Sequence, residues 1–188
     1  VISSAASDVY KRQFVGSVTD RKNPKIIIES LETIDGDVSL EIIGQTPNLK
    51  YLKELNNLIS SSKYSERITM TPFIEAEQLI SKYASANLFI LPSKSEGLGR
   101  VIIEAQATAC PVLVSSNTGM VDLIIENETG YIFENNNKND LSNKIQYIMN
   151  NYESALQTGL NSKEFVKENQ SVANFEFGYK KLIDLVST

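Results

Sequence analysis

The sequence predicts an α/β fold: a Rossmann-like, doubly wound parallel sheet of about six strands flanked by helices. Three observations predict it. Short apolar runs alternate with longer amphipathic segments along the 188 residues. Several runs, among them "LEIIG" and "ANLFIL", are apolar throughout, the pattern of strands covered on both faces in a parallel sheet. Three loops with glycine or small residues, "VGSVTDRK", "IIGQTPN" and "LPSKSEGLG", fall at strand carboxyl ends, where open α/β sheets hold their ligands.

In chain order, residues 1–12 read as an N-terminal connection or cloning remnant, and residues 13–188 as one domain. The strands are expected at Gln13–Val18, Val38–Ile43, Ile68–Met70, Asn87–Leu91, Pro111–Val114 and Tyr131–Phe133. The amphipathic stretches between and after them predict helices at Pro24–Thr33, Leu49–Ser60, Ala76–Ala84, Arg100–Thr108, Val121–Glu126, Asp140–Asn150, Tyr152–Glu168 and Val172–Leu185. The polar run "ENNNKND" feeds the helix at Asp140, with Asn139 or Asp140 as its N-cap. One helix between successive strands implies right-handed crossovers. The last two helices leave that alternation, and the final one either packs on this domain or crosses towards another lobe.

Composition narrows the chemistry. The net charge of −5 argues against a nucleic-acid surface, which needs clustered Lys and Arg. No apolar run approaches the roughly 20 residues that cross a bilayer. The single cysteine, Cys110, excludes an internal disulfide and fits a reducing, cytoplasmic setting; just before a strand, it reads as a small buried hydrophobe. The absence of histidine excludes a Ser-His or Cys-His pair and histidine metal ligands within this chain. The start at Val1, without a signal-peptide pattern, suggests a fragment or trimmed chain.

The stretch "LPSKSEGLGRVIIEAQA", Leu91 to Ala107, carries the strongest functional signal. Gly97, Leu98 and Gly99 open a helix beginning at Arg100. Helix N-termini offer unpaired amides and a partial positive charge, and glycine lets a phosphate come close. Glu104, about one turn into that helix, tilts back towards its start. It cannot bind phosphate, but it can accept hydrogen bonds from two vicinal ribose hydroxyls. Glu96, at the strand exit, can accept from sugar hydroxyls on the other side of the anion. Each feature alone has a plainer reading, a solvated surface carboxylate or a simple turn; the combination at the end of the fourth strand is specific.

The segment "ANLFILPSKSEGLGRVIIEAQATACPVLVSS" resembles the core of the retaining group 1 glycosyltransferases, which pair two Rossmann-like lobes in the GT-B architecture. Glu96 and Glu104 have the spacing of that family's E-x7-E motif. "VGSVTDRKNPKIIIESL", "EIIG", "CPVLVSSNTGMVDLI" and "NETGYIF" resemble further family segments in the same order. The resemblance implies that this chain is the C-terminal, donor-binding lobe of an enzyme transferring a sugar from a UDP- or GDP-linked donor to a saccharide or lipid-linked acceptor. It points to bacterial surface polysaccharide or glycolipid synthesis. The acceptor would be held mainly by a missing N-terminal lobe, through which peripheral membrane contact is also allowed. No cofactor and no metal are expected. By the same resemblance, Glu96 contacts the transferred sugar and Lys22 neutralises the leaving diphosphate. Gly16, Ser17, Gly97, Leu98, Gly99 and Arg100 line the diphosphate, Glu104 takes the ribose, and Phe73 and Ile74 meet the base.

The sequence departs from the family pattern in places. Ser17 stands where the family has an arginine on the phosphates, so Arg100, Arg21 or Lys94 would supply that charge. Pro72 and Ala109 replace glycines, and Asp122 replaces a glutamate. The departure at Ser17 keeps open a second reading, a non-catalytic nucleotide-sugar-binding or interaction domain of the same fold. A nicotinamide-dinucleotide domain fits poorly, because "GSVTDR" offers one glycine where G-x-G-x-x-G is needed. A receiver-like domain lacks an acidic pair after the first strand. One lobe alone is expected to bind nucleotide weakly and to transfer no sugar.

Overall fold

Six strands form one sheet in the order 3-2-1-4-5-6, with every pairing parallel. They are β1 (Tyr10–Val15), β2 (Val38–Ile43), β3 (Ile68–Thr71), β4 (Leu88–Leu91), β5 (Val112–Ser115) and β6 (Tyr131–Phe133). The structure is a computed structural model that describes residues 9–119 and 121–169. The helices are α1 (Pro24–Leu31), α2 (Leu49–Ser61), α3 (Ala76–Ser85), α4 (Arg100–Ala107), α5 (Lys138–Asn150) and α6 (Tyr152–Asn169). α1 packs against α2 and α5, whereas α4 packs against α3 and α6. Two helical layers are what right-handed crossovers running outward in both directions from the sheet centre produce. All residues of β4 and β5 are buried, which is why their sequences carry no alternation.

The chain after β3 returns to the far side of β1, so β1 and β4 are neighbours whose connections leave in opposite directions. Their carboxyl ends therefore open a crevice at the topological switch point. Two glycines keep the neighbouring loop tight. A Cβ on Gly44 would lie 1.9 Å from the carbonyl oxygen of Gly16, so the turns leaving β1 and β2 touch backbone to backbone.

Several elements differ from expectation. β1 begins at Tyr10 and ends at Val15, with Tyr10–Val15 paired in register to Val38–Ile43; Tyr10–Arg12 thus belong to the strand and not to a connection. Their polarity concealed it. Arg12 is nevertheless only 1% exposed, its guanidinium lying 5.0 Å from the Tyr10 ring centroid and donating to Met149 Sδ. Burial lowers its pKa to about 10. The helix expected at Val121–Glu126 is a single 3₁₀ turn, Val121–Leu123. Beyond it, the Ile125 N–H donates to Thr129 Oγ1 at 2.8 Å and Asn127 adopts φ 64°, folding the chain back into β6. The N-cap of α5 is Asn137, which accepts from the Asp140 N–H, and not Asn139 or Asp140. The helix expected at Val172–Leu185 lies outside the described residues. Among those described, no helix is long and apolar enough to cross a membrane.

Candidate functional site

The loop after β1 and the loop after β4 meet in the switch-point crevice. In the first, the Asn23 N–H donates to Thr19 O at 2.9 Å and Asn23 takes φ 53°. Pro24 then opens α1 with a fixed φ. This turn carries Asp20, Arg21 and Lys22. The second loop is zipped to it. The Lys94 N–H donates to Arg21 O at 2.8 Å, Arg21 Nη1 donates to Ser95 O at 2.8 Å, and Lys94 Nζ pairs with both Asp20 oxygens at 2.8 and 2.9 Å.

At the centre, Lys22 Nζ donates to Glu96 Oε2, although the two are 74 positions apart in sequence. Arg21 Nη1 lies 3.7 Å from the same oxygen, and Ser93 Oγ, fully buried, is 3.5 Å from it. The side chains of Lys22 and Glu96 are 13% and 8% exposed. Neither is the freely solvated surface charge that each residue alone would suggest. Two cations thus converge on one carboxylate oxygen, and solvent screening is reduced there.

The backbone beside Glu96 is fixed from behind. The Gly119 N–H donates to Glu96 O at 2.6 Å, and Glu96 forms a parallel bridge with Thr118. Thr118, 2% exposed, anchors this contact by donating to Ser115 O at 3.0 Å. Gly119 has to be glycine, because a Cβ would lie 2.2 Å from Gly97 O. By contrast, a Cβ on Gly97 would meet nothing within 4 Å. α4 opens on Gly99 with no side-chain cap, so its leading amides are not taken up by a capping group and stay available to an anion.

The remaining predicted residues fall as follows. Gly16 takes φ 145° and donates its N–H to Ile43 O, holding the β1 exit; Ser17 beside it is exposed. Leu98 and Arg100 are exposed at the start of α4, while Gly99 is packed against Ile102 and Leu91. Phe73 is 65% exposed and Ile74 packs partly on the core. Glu104 is exposed on α4, and its Oε2 accepts a hydrogen bond from Tyr83 Oη at 3.1 Å. Among the described residues, the side-chain hydrogen bonds of Glu104 and Glu96 share no partner. Of the three cations that could replace the one missing at Ser17, Arg21 alone faces the Glu96 carboxylate; Lys94 is engaged by Asp20. Sequence reasoning passed over Ser93, Tyr83 and Thr118. Tyr83 and Thr118 act on a helix or loop brought to them by the fold, whereas Ser93 lies three residues before Glu96 in the same loop and was the one within reach of local reading.

A six-stranded parallel sheet in this order, flanked by helices, matches the Rossmann-like lobe of GT-B glycosyltransferase structures. It superposes on Anabaena HepE in complex with UDP-glucose with a TM-score of 0.84 over 96% of this chain and 50% of that one, at 20% identity. Residues 4–165 match the family described as glycosyl transferases group 1, and the chain belongs to it. It is 31% identical over 157 residues to an uncharacterized glycosyltransferase of Methanocaldococcus jannaschii, covering 82% of this chain and 42% of that one. It is 30% identical over 161 residues to the capsular polysaccharide biosynthesis glycosyltransferase CapM of Staphylococcus aureus, covering 82% and 40%. The chain thus spans less than half the length of these relatives.

Proposed function

We propose that this lobe holds the nucleoside diphosphate sugar of a retaining glycosyltransferase acting in surface polysaccharide or glycolipid synthesis, with the acceptor bound mainly by a second lobe. The observation that carries this reading is the convergence of Lys22 and Arg21 on Glu96 beside the uncapped start of α4. It supplies cations for a diphosphate and an acceptor for sugar hydroxyls within one crevice. The likeness to HepE, which was solved with UDP-glucose, and to CapM supports the same class of donor and pathway.

The roles follow from chemistry. The amides of Leu98 and Gly99, with the helix start, bind the diphosphate. Lys22 and Arg21 turn from Glu96 towards it, freeing the carboxylate to accept from the donor sugar. Arg21 then provides the charge that Ser17 lacks. In transfer, the anomeric C–O bond to the β-phosphate breaks and a bond to an acceptor hydroxyl forms on the same face. The hydroxyl proton passes to the departing diphosphate, whose developing charge Lys22 stabilises. Glu104 accepts from the ribose hydroxyls, and Phe73 and Ile74 border the base.

Calorimetric titration of the chain with UDP, GDP and ADP tests binding. One of them is expected to bind, with affinity lowered tenfold or more by Lys22→Ala and by Glu104→Ala. The absence of binding by all three overturns the reading. Activity of the two-lobed protein with Glu96→Ala separates an enzyme, which loses turnover, from a binding domain, which retains its nucleotide affinity and has no turnover to lose.

A further inference from the structure

We infer that Tyr83 is a positioning residue that holds the Glu104 carboxylate for the ribose; this rests on the reading of Glu104 given above. Tyr83 lies on α3, outside the loops that form the crevice, and is 1% exposed. Its ring is locked edge-on against Phe89 of β4, with centroids 5.6 Å apart and planes at 73°. Only its hydroxyl reaches outward, donating to Glu104 Oε2 at 3.1 Å. Burial, and then the adjacent Glu104 charge, raise the phenol's pKa far above its ordinary value. It therefore stays a donor wherever the protein is folded.

Glu104 needs such a partner. It is an exposed glutamate with three rotatable side-chain torsions, and Tyr83 is its sole hydrogen-bond partner among the described residues. A free carboxylate in that setting samples many rotamers and loses that freedom on binding. With Oε2 tied to a rigid, buried ring, the carboxylate plane is set and Oε1 keeps both lone pairs for hydroxyl donors. Tyr83 thus acts on nucleotide affinity through Glu104 without touching the nucleotide. The link also couples α3 to α4, the helix whose start faces the diphosphate.

Tyr83→Phe removes one oxygen and leaves the ring packing intact. We expect it to weaken binding of UDP or GDP, whichever the wild type takes, about five- to tenfold by calorimetry, through the lost pre-organisation. The thermal midpoint is expected to stay within a degree or two. The 2′,3′-dideoxy form of the same nucleotide, which offers Glu104 no hydroxyl, is expected to bind wild type and Tyr83→Phe equally. In a Glu104→Ala background, Tyr83→Phe is expected to add nothing. Glu104→Ala without effect would sink the ribose reading itself. A strong effect of Glu104→Ala with none from Tyr83→Phe would sink the role of Tyr83 alone. So would a Tyr83→Phe loss that persists with the dideoxy nucleotide or without Glu104, because the hydroxyl would then act through general structure.

Discussion

A methyl group on Gly119 would press on the loop that carries Glu96. The added Cβ would lie 2.2 Å from Gly97 O, 2.9 Å from Glu96 O and 3.1 Å from Gly97 C. Carbon–oxygen contacts settle at about 3.3–3.6 Å, and the obstructing atoms are backbone, so the loop must retreat by about 1 Å. That movement breaks the 2.6 Å Gly119 N–H···O=C Glu96 bond, worth about 1 kcal/mol net, with a further ~1–3 kcal/mol from overpacking. The larger effect is on the ligand. Amides displaced by about 1 Å from their working distance no longer form proper hydrogen bonds. Two charge-assisted bonds at about 1.5 kcal/mol each correspond to roughly a hundredfold loss of affinity. Calorimetry of Gly119→Ala with the preferred nucleotide measures it, with circular dichroism to establish that the sheet persists. Gly97→Ala is the control: its Cβ meets nothing within 4 Å, so its stability is expected to match wild type within about 0.5 kcal/mol. Gly119→Ala binding within threefold of wild type, at an unchanged denaturation midpoint, would refute the reasoning that this close approach sets the loop.

Arg21→Ala is expected to weaken nucleoside diphosphate binding about three- to tenfold and to flatten its salt dependence, as loss of an exposed cation near an anion should; nucleotide titrations at two ionic strengths check this. Ala109 sits at φ 62°, where an L-residue is strained by about 1–2 kcal/mol. Because glycine costs about 0.5–1 kcal/mol in chain entropy, Ala109→Gly is expected to stabilise by ~0.5–1 kcal/mol, read as a rise in thermal midpoint of about 2–4 °C per kcal/mol. The Cys110 thiol is 2% exposed, and burial pushes its pKa up to about 12; alkylation by iodoacetamide near neutral pH is expected to be at least ~100-fold slower in the native chain than after unfolding. A native rate near the unfolded one would place the thiol at the surface.

The alternation of uniformly apolar runs with amphipathic segments is written locally, because a strand buried on both faces and a helix buried on one each impose their own period. That much determined the parallel sheet and its six strands without coordinates. The Gly-Leu-Gly opening of α4 and the spacing of Glu96 and Glu104 are likewise local, being a strand end and a helix start a few residues apart. The start of β1 at Tyr10 was not legible, because Lys11 and Arg12 are polar, yet Arg12 is only 1% exposed. A buried arginine against a tyrosine ring looks, in sequence, like a surface residue. The pairing of Lys22 with Glu96, the approach of Arg21 to the same oxygen and the bond from Tyr83 to Glu104 belong to tertiary structure alone. Hydrophobic periodicity says which face of each element is covered, but not which loops meet. That was decided when the crossover after β3 carried the chain back past β1 and laid β4 beside it, bringing together charges 74 residues apart.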